Sequence, residues 1–145
     1  MCSSDLEIFN PEPTEADVSG WFLSDDPGIP KKYRLPLGSK IPAGGFLVLT
    51  ETAFNAEATG TNAFSFSADG DEAYLFAADA AGNLTGYEHG LKFGASPAGF
   101  SFGRIVDSTG REHFPLMSTT TFGRANAAPF ASDVVISEKI GRAHV

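Results

Sequence analysis

The chain alternates short apolar stretches with polar, glycine- or proline-marked breaks, and no apolar spacing of 3.6 residues persists for ten positions. That rhythm predicts strands and turns. "EIFN" (residues 7–10) alternates and stops at Pro11, as the end of a strand does. "GWFLSDD" is a short apolar strand broken by "DPG". "KKYRLP" points Tyr33 and Leu35 inward and Lys32 and Arg34 outward. "IPAGG" sets Pro42 at a corner with Gly44 and Gly45 behind it, a turn signature. "FLVLTE" (46–51) is a continuous apolar run, predicted to be a central strand covered on both faces. "TAFNAEATGTN" (52–62) reads as a loop.

From residue 63 a meander follows. Phe64 and Phe66 share a face, "ADGDE" turns the chain, "EAYLFAA" is a strand, "DAAGN" turns again, and "LTGYEHGLKF" is the return strand. "GFSFGRI" (99–105) is expected as another strand, "DSTGRE" as a turn, and "STTTFGRANAAP" as an exit segment. Strands at spacings of eight to twelve residues with Gly and Pro turns predict an all-β sandwich or barrel. Phe46, Phe64, Phe66, Phe76, Phe93, Phe100 and Phe102 are the expected inner faces. Trp21, the only tryptophan, is expected in the core, as large aromatics mostly are. A sugar-binding platform would instead need it exposed.

Composition narrows the function. One domain suits 145 residues, and thirteen Phe, sixteen Gly and nine Pro suit many short strands. The formal charge is −8, with Lys31, Lys32, Arg34, Lys40, Lys92, Arg104, Arg111 and Arg124 scattered rather than striped. That argues against a nucleic-acid partner. No apolar run approaches a membrane span, so no membrane insertion is expected.

The two ends share an unusual relation. "IGRAH" can be encoded by ATC GGA AGA GCA CAC, whose reverse complement, with GTG as start codon, reads Met-Cys-Ser-Ser-Asp, the opening of the chain. One inverted DNA segment, resembling a sequencing adapter, accounts for both. Residues 1–6 and 139–145 are therefore read as adapter-derived, and the natural part as a piece of a longer protein. Its charge becomes −9 once Asp5, Lys139 and Arg142 are set aside. Cys2 then says nothing about redox compartment.

Candidate chemistry is sparse. Asp25, Asp26, Asp69 and Asp71, with Glu72, are the acidic loop residues from which calcium, which takes six to eight oxygens, could draw ligands. Their other reading is as turn residues bonded to their own backbone. The spacing is not that of a helix–loop–helix calcium loop, and no cofactor is expected. His89 and His113 stand apart without cysteine partners and read as solvent-facing. No serine sits in a nucleophile elbow, and "GASPAGFSFG" lacks the lysine of a phosphate loop. "NLT" at 83–85 fits a glycosylation acceptor in a tight turn. No catalytic residue emerges, so no enzyme is expected within the chain.

Taken in order, "EIFNPEPTEADVSGWFLSDDP", "KYRLP", "IPAGGFLVL", "AFSFSADGDEAYLF" and "GRANAAP" resemble the lamin-tail domain. The resemblance runs over residues 7–129 and is most similar to bacterial versions in large, secreted, multidomain proteins. It implies an immunoglobulin-like β-sandwich with structural roles for Gly20, Trp21, Pro42 and Gly70, and no shared catalytic residue. Residues 130–138 would be a linker and the start of a following segment. The family's first strand would precede Glu7, so the resemblance implies a sandwich lacking its first strand, with an open edge or groove. Residues 134–137, "VVIS", are the candidate to fill it, since an unpaired apolar edge is a liability. The implied function is a non-catalytic interaction or structural module, located outside the cell or on its surface. Its partner would be a protein, a surface polymer, or other domains of the parent chain. An accessory domain of an extracellular hydrolase and a calcium-dependent adhesion or carbohydrate-binding module are the alternatives.

Overall fold

The computed structural model describes residues 5–55, 63–131, 134, 137, 138 and 141. Among these described residues, ten strands and one helical turn follow in chain order: β1 (Leu6–Phe9), β2 (Ala16–Asp17), β3 (Phe22–Ser24), β4 (Tyr33–Arg34), β5 (Lys40–Ile41), β6 (Phe46–Leu49), α1 (Glu51–Phe54), β7 (Gly70–Ala78), β8 (Leu84–Gly94), β9 (Ile105–Val106) and β10 (Glu112–His113). Every strand pair is antiparallel. The largest sheet runs β4-β3-β7-β8; β1 pairs β6, β2 pairs β5, and β9 pairs β10.

One core lies between the large sheet and the β1–β6 and β2–β5 pairs. Val18, Leu23, Leu35, Ile41, Leu49, Phe54 and Phe64 are buried there, with Leu6, Ile8, Leu47 and Leu75 packed against them. Apolar residues from both sides fill one space, as the period-two pattern requires. The other face of the large sheet carries a smaller cluster of Phe22, Phe76 and Ala78, flanked by Tyr74. Lys31 Nζ and Arg34 Cζ each lie 5.7 Å from the Phe22 ring and cover it with their stems. Phe76 therefore belongs to this outer cluster rather than to the inner face expected for it.

The turns follow their residues. Gly45 N–H donates to Pro42 O at 2.8 Å, closing the corner before β6. Gly70 has φ +121°, and a Cβ there would stand 2.8 Å from Phe93 O, so only glycine fits. Asp79 Oδ1 accepts the backbone N–H groups of Ala81 and Asn83 and turns β7 into β8.

Three expectations need correction. Among the described residues β6 is paired with β1 alone, and Val48 is left exposed, so it is not the central, doubly covered strand expected. Residues 51–54, mostly in the expected loop, form a helical turn, because Phe54 goes to the core and stacks on Phe64 at 4.9 Å. "GFSFGRI" is not a strand through its length: it holds one bridge, Phe102 to Leu116, and β9 begins only at Ile105.

β1 takes in Leu6 and is paired at all four residues; Asp5 accepts the backbone N–H of Glu51 at 3.0 Å. Beyond β10, Met117 is 1% exposed and bridges Pro129, and Gly123 N–H donates to Glu7. Residues 135 and 136 of the 134–137 segment lie outside the described residues; Val134 itself is exposed.

Candidate functional site

A cleft of about 290 Å³ opens where the two sides of the sandwich part. Ile8, Val18, Ile41 and Leu75 form its floor, and Phe9, Asn10, Pro11, Trp21 and Tyr87 form its walls. Glu12 is the one charged residue in the lining.

Local chemistry places Trp21. Trp21 N–H donates to Val18 O at 3.1 Å, closing a four-residue turn with Gly20 at φ +75° in its third position. Leu35 N–H donates to Trp21 O at 2.8 Å and fixes the turn on the large sheet. The indole is partly buried and packs against the core. Trp21 is thus a wall of the cleft as well as a core contact, which corrects the expectation of simple burial. Tyr87, 56% exposed on β8, faces it with ring centroids 5.9 Å apart and planes at 50°.

The opposite wall is held by Asn10, which is 4% exposed. Its side-chain NH₂ donates to Thr14 O at 2.8 Å, Ile41 O at 3.0 Å and Pro42 O at 3.1 Å. Its Oδ1 accepts Glu12 N–H at 3.1 Å. The polar turn after β1 is thereby fastened to the corner after β5, with Pro11 and Glu12 at the rim.

The acidic residues singled out in the sequence are engaged in turns and ion pairs. Asp25 meets Lys32 Nζ at 2.6 Å in a pair only 14% and 20% exposed. Asp26 Oδ1 accepts Gly28 N–H, and the fully buried Ser24 hydroxyl bonds within the same turn. Asp71 accepts the N–H groups of Ser67 and Glu72, Asp69 donates its own N–H to Ser67 Oγ, and Glu72 pairs with Lys92 at 3.0 Å. Among the described residues, no group of three or more His, Cys, Asp or Glu is placed to hold a metal ion.

His89 and His113 lie at or near the surface. His89 meets Glu112 at 3.1 Å, Arg104 also binds Glu112, and His113 meets Asp107 at 2.7 Å. Arg104 above all holds the Glu112 carboxyl below its usual range. The Thr109 hydroxyl and then His113 do the same for Asp107. The Asn83 side chain donates to Asp79 Oδ2 at 3.2 Å, so the glycosylation acceptor serves its own turn. No described helix is long and apolar enough to cross a membrane.

Sequence reasoning had Trp21 and Asn10 in view but missed Tyr87 and Pro11 as parts of one site. The alternation in "LTGYEHG" puts Tyr87 and His89 on one face, but nothing in it pairs Tyr87 with a tryptophan 66 positions earlier. In comparison with known proteins, the family model described as Lamin Tail Domain matches residues 5–90, more than half of the chain. No curated protein and no solved structure matches.

Proposed function

The chain belongs to the lamin tail domain family, and on that premise we propose that it is a non-catalytic recognition module of a larger secreted or cell-surface bacterial protein. The Trp21–Tyr87 cleft is its binding surface and a protein is its partner. The family is a non-enzymatic, immunoglobulin-like module family with protein partners. The observation that carries the reading is the pair of aromatic rings left accessible over an apolar floor. Large aromatics placed between core and solvent are the common anchors of protein recognition. An accessory domain of an extracellular hydrolase would be the same module in another setting, with its catalytic group elsewhere in the parent.

The test is selection of a random displayed-peptide library on the 145-residue chain, with a counter-selection on Tyr87→Ala. Peptides that bind the parent and not the variant support the reading. A library yielding only binders indifferent to Tyr87 overturns it.

A further inference from the structure

We propose that the cleft takes a proline-rich, extended segment of another polypeptide, with one Lys or Arg beside its prolines; this rests on the reading of the cleft as a recognition surface. The argument has three parts: shape, hydrogen-bonding character and charge.

At about 290 Å³ the cleft matches the lower end of ligand pockets, enough for two or three side chains and too little for a folded face. Its walls are rings and a proline: Trp21, Tyr87, Phe9 and Pro11. A polyproline II chain presents rigid pyrrolidine rings at regular spacing and loses little entropy on binding. Grooves lined by aromatic rings suit that shape. The two planes are tilted by 50°, a notch rather than the flat shelf on which a sugar ring stacks.

Beside the Glu12 carboxylate, the uncharged side-chain groups left available can donate. Asn10 has its amide spread over three carbonyls and its oxygen on Glu12 N–H. Among the described residues, Trp21 Nε1–H and the Tyr87 hydroxyl have no hydrogen-bond partner. Proline-rich segments offer carbonyls without internal partners and few N–H groups, which complements two donors. A saccharide would need a ring of donors and acceptors that this lining does not supply.

Charge sets the flank. Glu12 lines the cleft itself and makes no ion pair among the described residues. Lys40, 3.9 Å from Glu15, is the nearby cation. In a chain of net charge −8, a Lys or Arg on the ligand is favoured there and an acidic residue is not.

Trp21 is the only tryptophan, so intrinsic fluorescence reports on the cleft directly. The 145-residue chain is titrated with an array of decapeptides built on Pro-x-x-Pro, x being Leu, Val, Ala or Pro, with Arg at either flank. Glu-flanked copies, cellohexaose and chitohexaose are run beside them. The expected result is a saturable change with Arg-flanked members. Tyr87→Ala should weaken it at least about tenfold, as loss of a hot-spot aromatic does. The Glu-flanked copies and Glu12→Lys should also weaken it, with unchanged melting temperatures for both variants. No saturable response across the array overturns the proposal. If Tyr87-dependent peptides of other composition are selected as well, the recognition module stands and only the ligand class is wrong. A response to a saccharide instead overturns both the ligand class and the protein partner.

Discussion

Asn10 is the position where a single atom change should tell most about this fold. Its amide N–H groups serve three carbonyl oxygens and its oxygen takes one N–H, in a site 4% exposed. Asn10→Ala removes two donors and one acceptor; at about 1 kcal/mol net for each, the loss is about 3 kcal/mol. For a chain of this length that corresponds to a melting temperature lower by roughly 8–15 °C. Asn10→Asp keeps the shape but sets a carboxylate against three carbonyl oxygens at 2.8–3.1 Å. It should be worse than alanine at pH 7, because an unpaired charge is buried. The repulsion raises the folded-state pKa of the new Asp above an unfolded value of about 3.9. Such a group favours folding below the unfolded pKa and opposes it as pH climbs through the folded one. Urea denaturation of both variants at pH 4, 5.5 and 7 should show the aspartate variant gaining on the alanine variant as pH falls. The reasoning fails if Asn10→Asp matches the parent at pH 7, or if the two variants stay in step at every pH.

Three other outcomes are expected. At Gly90 an added Cβ would lie 2.2 Å from Tyr74 Cδ1 and 3.0 Å from Ala73 O, so Gly90→Ala should cost about 1–3 kcal/mol in chemical denaturation; a cost under about 0.5 kcal/mol would show that the ring moves aside freely. Burial holds the Glu7 carboxyl above its ordinary 4.5, against the bond from Gly123 N–H. Its contribution to stability therefore declines as pH rises from 4.5 through the folded value. Glu7→Gln should flatten that limb of the stability curve, while the limb below pH 3.8, where Asp79 and Asp107 lose their turn bonds, stays unchanged. Thermal melts in EDTA and in millimolar calcium should coincide, because Asp25 is held by Lys32 and Asp26 and Asp71 by backbone amides; a clear rise with calcium would make these turns a metal site.

Legibility in the sequence followed the range of the forces involved. Pro42 with Gly44 and Gly45, Gly70, and Asp79 with Asn83 mark turns whose geometry is decided within five residues, and the structure places turns at each. The strands 70–78 and 84–94 were readable for the same reason, since one turn sets their register. The run at 46–49 could not announce its neighbours: apolar residues show that some surface is covered, not that both edges are paired. The helical turn at 51–54 forms because Phe64, ten positions beyond Phe54, supplies a ring for it to stack on. Trp21 was placed in the core by composition, and only its meeting with Tyr87 makes it half a cleft.

The hydrogen bond from Gly123 to Glu7 joins positions 116 apart in the chain. It fastens the segment after β10 directly to the edge pair β1–β6. A pull between residues 7 and 123 would load this contact directly, alongside the bonds that pair β1 with β6. The contact also closes a loop of 116 residues, so the entropy cost of bringing two distant segments together is already met within the fold.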